Sequence, residues 1–460
     1  MTINKLPDDD LIYVFDFYLA ESSKVEAWHT LVHVCRRWRT IVFGSPRRLN
    51  LRIACTDKTS VNKLLDVWPA LPIDISGKCE TSTKHDNIKA ALEHHDRVRQ
   101  IQLNVPWPSY LADVFAALEV PFPVLADLHL LSTGNSDPIF PNPVKFLGGS
   151  THLRSLSFTG IPVPGLPKLL LSFTDLVNLE LDYVPISGFF SPEAMVTALS
   201  TLTRLETFHL EIESFSDREN RLSPLPTRAI LPSLTVLRFE CPSEYLEDFM
   251  LRIDAPILGY LDIALNCSYA DQDIVLDIQQ LLRFIGRIPK LHTPDKAHIR
   301  IDSDIHKLSI NFSWPKQISR AVKLGIHCLD PGLRVPRLVQ FCHSPFFPLP
   351  TLEYLYIGRG QISRQSQLDE VENNRWLEFL QPFTAVKNLY LTKEFSPEIA
   401  HTLQNPAGER AMVLPALENV FIEPESQPSG SVHEAIGQFA AARRLSGHPI
   451  VIYHWDGRQA

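Results

Sequence analysis

The sequence predicts an α/β fold in which a short helical N-terminal segment leads into an irregular solenoid of strands joined by helices and loops. Three features point there. Apolar residues in the first 54 positions recur at helical spacing, the pattern L-x-x-L-x-L returns from about residue 95 onward, and proline often stands just ahead of that pattern. With 460 residues, 45% hydrophobic and 21% charged, the chain has the composition of a folded protein with a large core. A single repeat array absorbs this length as readily as about three ordinary domains.

The first helix starts at Leu6-Pro7-Asp8-Asp9-Asp10, where proline suits a first helical turn and the aspartates suit the positive end of the helix dipole. Leu11, Val14, Phe15 and Tyr18 then share one face, and the polar run Glu21-Ser22-Ser23-Lys24 ends the helix. A second helix is predicted from Trp28, Leu31, Val34, Cys35, Trp38, Ile41 and Val42, stopped by Gly44-Ser45-Pro46. Two helices of this size need a partner surface or a neighbouring domain to be stable.

The repeated pattern begins with Val98/Ile101/Leu103 and Leu125/Leu128/Leu130 and ends with Leu352/Leu355/Ile357, Val386/Leu389/Leu391 and Leu417/Val420/Ile422. From Ile101 to Leu261 the middle residues keep leucine-rich-repeat spacing. Pro123, Pro232, Pro350 and Pro415 each precede a first apolar position by two residues, blocking helix and giving the strand a defined start. Beyond Ile263 the array is irregular. Ile278, Leu281, Leu282 and Ile285 form a helical face, Ala297, Ile299 and Ile301 alternate like a strand, and Ile305/Leu308/Ile310 read as a further repeat. At the end, the capping box Ser431-x-x-Glu434 opens a helix with Val432, Ile436 and Phe439 on one face, closed by Gly447 and Pro449, and residues 450–453 follow as a strand. The predicted organisation is therefore a helical domain over 1–54, a connecting segment and solenoid start over 55–94, a solenoid over 95–430 and a capping helix and strand over 431–460.

Within each strand the apolar residues point to the core, so the residue between the last two faces away. That row reads Gln102, His129, Ser157, Glu180, His209, Arg238, Asp262, Ser309, Tyr356, Tyr390, Phe421. Its end is aromatic, with Tyr354 one step away on the same face, and aromatic residues are favoured interface anchors. Tyr354, Tyr356, Tyr390 and Phe421 are accordingly the candidate target-binding residues. The competing expectation is that these rings pack against neighbouring strands or a covering loop.

Other chemistry is poorly represented. Lys and Arg number 44 against 52 Asp and Glu, a net charge of −8 without the concentrated basic stripe of a nucleic-acid binder. No apolar run has the roughly 18–20 residues a bilayer requires, and early aspartates do not suit a signal peptide. The seven cysteines form no C-x-x-C pair and are expected to be reduced, small hydrophobes, Cys35 among them buried, in a cytoplasmic or nuclear setting. There is no G-x-S-x-G, phosphate-loop or H-E-x-x-H motif, and His94-His95-Asp96 and Asp302-Ser303-Asp304 have no distant partner that spacing identifies. The expectation is a non-enzyme with no metal, no cofactor, no nucleic acid and no membrane.

The run Leu6-Pro7-Asp8, Leu11, Val14-Phe15, then Leu31, Val34-Cys35-Arg36-Arg37-Trp38-Arg39 and Ile41, then Ser45-Pro46-Arg47, resembles the F-box. It departs from the usual pattern at Asp10 and at Phe17-Tyr18, where an aliphatic residue is commoner. The segment from Leu281 to Leu291 with Asp295 to Ile299 resembles the expanded fungal F-box families that carry leucine-rich C-terminal regions. These resemblances imply an N-terminal helical F-box followed by an irregular leucine-rich-repeat solenoid. They further imply a substrate receptor that binds a Skp-type adaptor, and through it a cullin–RING (SCF-type) ubiquitin ligase core, while the solenoid takes an unidentified protein target. Leu6, Pro7, Leu11, Val14, Phe15, Leu31, Val34, Cys35, Trp38 and Ile41 would form or support the adaptor-binding surface. The alternative is a leucine-rich-repeat scaffold without a ubiquitin-ligase role.

Overall fold

The computed structural model describes residues 5–21, 27–44, 51–66, 68, 70–133, 145–149, 152–212, 228–266, 278–302, 307–314, 320–327, 336, 339, 342–343, 349–359, 373–393, 395–404, 413–423 and 430–455. It comprises two compact units, Met1–Phe190 with Thr197–Leu205, and Ser191–Val196 with Glu206–Ala460.

The first unit opens with three helices, α1 (Asp8–Glu21), α2 (Ala27–Val32) and α3 (Arg36–Gly44). The single second helix expected from Trp28 to Val42 is thus broken at residues 33–35, and polar bonds explain the break. Cys35 Sγ accepts from the Trp38 N–H at 3.4 Å, capping the start of α3. Arg39 Nε donates to the Val32 carbonyl at 3.0 Å, satisfying the end of α2. Arg37 ties α3 to the start of α1, donating through Nε to Asp8 Oδ1 at 2.9 Å and through Nη2 to the Leu6 carbonyl. Two arginines of the basic run therefore serve the helical unit itself.

Six parallel strands follow: β1 (Leu51–Cys55), β2 (Ile73–Lys78), β3 (Val98–Asn104), β4 (Asp127–Leu131), β5 (Ser155–Thr159) and β6 (Asn178–Val184). Each pairs with the next in order. Parallel neighbours need a crossover, and helices Ser82–Leu92 and Pro108–Ala117 supply two of them. The parallel array begins at Leu51, ahead of the first L-x-x-L-x-L match. Its first two strands bury Leu51, Ile53 and Cys55, then Ile73 and Ile75, at period two without the leading leucine of the motif. Ser76, Gln102, His129, Ser157 and Glu180 lie in one register row across β2 to β6.

The second unit contains β7 (Thr207–Ile212), β8 (Ala229–Ile230), β9 (Val236–Cys241), β10 (Ile253–Asp254), β11 (Tyr260–Asn266), β12 (Lys296–Asp302), β13 (Lys307–Ser313), β14 (Ala321–His327), β15 (Tyr354–Arg359), β16 (Asn388–Leu391), β17 (Asn419–Ile422) and β18 (Val451–His454). β8 and β10 form a small parallel ribbon. The rest form one sheet in the order β7-β9-β11-β14-β13-β12-β15-β16-β17-β18. Leu308 and Ile310, expected in a parallel repeat strand, instead lie on β13, which is antiparallel to both β12 and β14. Residues 303–306 are too few for a parallel crossover, which takes a dozen or more, so β12 and β13 must fold as a hairpin. Ile305 of that expected repeat lies outside the described residues.

One carboxylate locks two of the helices together. Glu247, on helix Ser243–Arg252, accepts from the Gln280 and Leu281 N–H groups at 2.7 and 2.9 Å, capping helix Gln279–Gly286. The final helix, Gly430–Leu445, buries Ile436 and Phe439 and ends at Gly447, whose φ of 83° takes the left-handed conformation expected of a helix stop. The Ser431 side chain of the expected capping box lies outside the described residues. Arg443 is buried and donates to the Leu414, Pro415 and Leu417 carbonyls, fastening this helix to the chain that enters β17. Among the described residues, no helix is long and apolar enough to cross a membrane.

Candidate interaction surfaces

The motif residues of the N-terminal helices divide into a buried and an uncovered set. Leu11, Phe15, Leu31 and Ile41 are at most 8% exposed and form the interior of the three-helix packing. Leu6 and Trp38 are half-buried, the Trp38 ring lying 4.7 Å from that of Phe15. Pro7, Val14, Val34 and Cys35 are exposed. Cys35 thus differs from the buried thiol expected of it, because its place at the start of α3 turns its sulfur to the backbone rather than the core. Tyr13, which the sequence pattern does not single out, and Phe17, where the chain departs from the usual F-box pattern, are each 70% exposed on α1. These apolar groups therefore stay uncovered on α1 and at the start of α3 among the described residues. The helices are anchored to the sheet region through Trp28, whose ring meets Trp68 edge-on at 5.4 Å.

In the second unit, the four candidate aromatic residues lie where the strand alternation puts them, and three of them stack. In register across β12, β15, β16, β17 and β18 stand His298, Tyr356, Tyr390, Phe421 and Tyr453. Their ring centroids are 4.2, 4.1, 4.3 and 5.0 Å apart, with interplanar angles of 17° or less. In-register parallel strands lie about 4.8 Å apart, so identical alternation brings flat side chains face to face. Trp455 then lies edge-on against Tyr356 and Tyr390 at 6.1 and 5.3 Å. Tyr356 is only 7% exposed, whereas Tyr354, Tyr390 and Phe421 remain partly exposed. The rings thus pack against those of neighbouring strands, and part of the outer edge stays open at Tyr390 and Phe421.

Burial shapes the ionisation of this row. It pushes the Tyr356 phenol up, and the neighbouring Tyr390, to which it is hydrogen-bonded, adds to the shift. Burial also lowers the His298 imidazole to about 4, with Arg300 and Lys296 contributing in the same direction. His298 is therefore neutral at physiological pH and stacks as a flat, uncharged ring. Sequence alternation around Ala297, Ile299 and Ile301 already places His298 outward, but only the meander brings it beside Tyr356. Trp455 follows the last strand and carries no periodic signal.

Of the remaining candidate groups, His95 has a structural partner. His95 ring nitrogen Nδ1 lies 2.9 Å from the Pro121 carbonyl, and its ring meets Phe122 edge-on. Ser303 and Asp304 lie outside the described residues. Cys55, Cys79, Cys241 and Cys342 are buried, and burial raises their thiols, Cys55 to about 12 and Cys79 to about 11. Such thiols are poor nucleophiles at neutral pH.

No protein-family profile matches the chain, and no curated protein matches it. Among solved structures, the leucine-rich repeat-containing protein LegL7 from Legionella pneumophila aligns over 88% of this chain and 99% of that one, with 12% identity and a TM-score of 0.27. A likeness that weak carries no argument. The repeat character rests instead on this chain's own parallel strands and their L-x-x-L-x-L cores.

Proposed function

We propose that this protein is the substrate receptor of a cullin–RING (SCF-type) ubiquitin ligase, holding a Skp-type adaptor on α1–α3 and a protein target on the outer face of its repeat sheet. The observation that carries the reading is the division of the F-box-like string. Leu11, Phe15, Leu31 and Ile41 build an interior, while Pro7, Val14, Val34 and Cys35 from the same string stay uncovered. Ordinary core segments bury such positions; a docking module displays them. Ubiquitin transfer then belongs to the partners, and the receptor contributes no catalytic group, metal or cofactor.

A scaffold without ligase function is the second reading. The Trp28–Trp68 contact favours it, because it gives the helices a role in covering the start of the array. Capture of a purified Skp-type adaptor separates the two. Trp38→Ala is a poor probe, since its ring also packs on Phe15. Val14→Asp with Val34→Asp changes side chains that are 44% and 55% exposed and leaves that packing intact. We expect this variant to unfold at the wild-type temperature and to lose adaptor affinity by roughly tenfold or more, as desolvated charge at an interface requires. Failure of the wild-type chain to capture any Skp-type adaptor would leave the scaffold.

A further inference from the structure

The antiparallel meander inserts a charge pattern into the sheet face that the repeat strands alone do not carry. On that outer face, Arg238 of β9, Lys323 of β14, and Lys296 and Arg300 of β12 form no ion pair among the described residues. Three of these cations sit over aromatic rings. Arg238 and Lys323 flank the Tyr260 ring at 5.5 and 5.3 Å, and Lys296 lies 5.6 Å from that of Tyr354. Asp262 stands between Arg238 and Lys323 in register, yet its carboxylate accepts from the Tyr260 hydroxyl at 3.0 Å. A chain with a net charge of −8 therefore gathers unpaired positive charge on one face.

The shape of the face matches the charge. Ala264, Gly325 and Ser309 are in register on β11, β14 and β13, leaving a low row that ends at Arg300, with Gly358 beyond it on β15. At a strand spacing of about 4.8 Å, the four steps from β9 to β12 span roughly 19 Å, the length of about six extended residues. Beside this row stand the edges of the aromatic stack, open at Tyr390 and Phe421.

We infer that the outer face of β9, β11, β14, β13, β12 and β15 binds an acidic segment of another protein, rich in Asp and Glu, in an extended conformation across the strands. The carboxylates meet Arg238, Lys323, Lys296 and Arg300, and apolar side chains of the segment meet the ring edges. Glu240 and Asp262 on the same face oppose a continuous phosphate backbone, which favours a peptide with spaced charges over a nucleic-acid strand. Burial is the main cause of the depressed pKa of His298, and Arg300 and Lys296 add to it in the direction a positive local potential gives. As the target site of a ligase receptor, this face rests on the reading given above; as a peptide-binding face it does not.

The test uses the full chain and fluorescence anisotropy with three labelled probes of about eight units each: an Asp/Glu-rich peptide containing Leu and Phe, its Asn/Gln counterpart, and a single-stranded DNA. The acidic peptide is expected to bind, with affinity that falls as salt rises, and the Asn/Gln peptide at least tenfold more weakly. Arg300→Glu with Lys323→Glu should lower the acidic peptide's affinity by tenfold or more while the unfolding temperature stays at the wild-type value, which reports an intact fold. Equal binding of the two peptides, equal binding by the variant, or tighter binding of the DNA overturns the inference. Peptide binding by a chain that captures no adaptor would instead overturn the receptor reading and leave this face standing.

Discussion

His298 sits at one end of a five-ring stack, and its environment makes a specific demand on pH. Its folded pKa of about 4 lies below the ordinary value of 6.5, so the unfolded chain binds the proton more readily. The stability this group contributes is fully present above pH 6.5 and is lost progressively as pH falls through about 4. The groups around it are Lys296 and Arg300 on its own strand and the Tyr356 ring stacked upon it. Carboxylates titrate in the same window, so the wild-type curve alone is ambiguous. His298→Phe keeps a flat ring in the stack and removes the titration. The variant should lose less stability than wild type between pH 7 and 4, the difference approaching on the order of 3 kcal/mol at the acid end, as a shift of this size requires. Parallel denaturation curves across this range would count against a buried neutral histidine.

At the scale of the element, Asn87 shows how a loop is fixed where no repeat motif operates. From helix Ser82–Leu92 its amide nitrogen donates to the Thr56 and Thr59 carbonyls at 2.8 and 3.1 Å, and its oxygen accepts from the Val61 N–H at 3.1 Å. One buried side chain thus satisfies three backbone groups of the segment leaving β1. Asn87→Ala should cost about 2 kcal/mol or more locally, because such groups are expensive to bury unpaired, and the Val61 amide should exchange with solvent at least tenfold faster. Unchanged exchange at Val61 would rule this bracket out. Nothing in the sequence spacing reveals Asn87, since its partners lie on a neighbouring loop. The strands after residue 95 are legible because L-x-x-L-x-L sets both their existence and their facing, and it placed Tyr356, Tyr390 and Phe421 on one side correctly. The meander is legible only partly: alternation at Ala297, Ile299 and Ile301 predicts a strand, but its direction depends on connection length rather than on residue type. Consequently Lys323, Asn311 and His298, not Ser309, continue the row from Asp262 to Tyr356.

For the whole molecule, the two surfaces draw on separate residues: one on α1–α3 in the first unit, the other on β9–β15 in the second. Substitutions at sites with no shared partner act additively. Deleting residues 1–50 would be the obvious way to separate adaptor binding from target binding, yet it would uncover Trp68, now 6% exposed and packed on Trp28. The bare apolar ring would invite non-specific association and blur the comparison. Charge substitutions in the complete chain avoid this. In affinity purification with mass spectrometry, Val14→Asp with Val34→Asp should lose adaptor and cullin and keep the target proteins. Arg300→Glu with Lys323→Glu should keep adaptor and cullin and lose proteins bearing acidic segments. If either pair of substitutions removed both classes of partner from a folded chain, the surfaces would not be independent, and the assignment of one to docking and the other to recognition would fail.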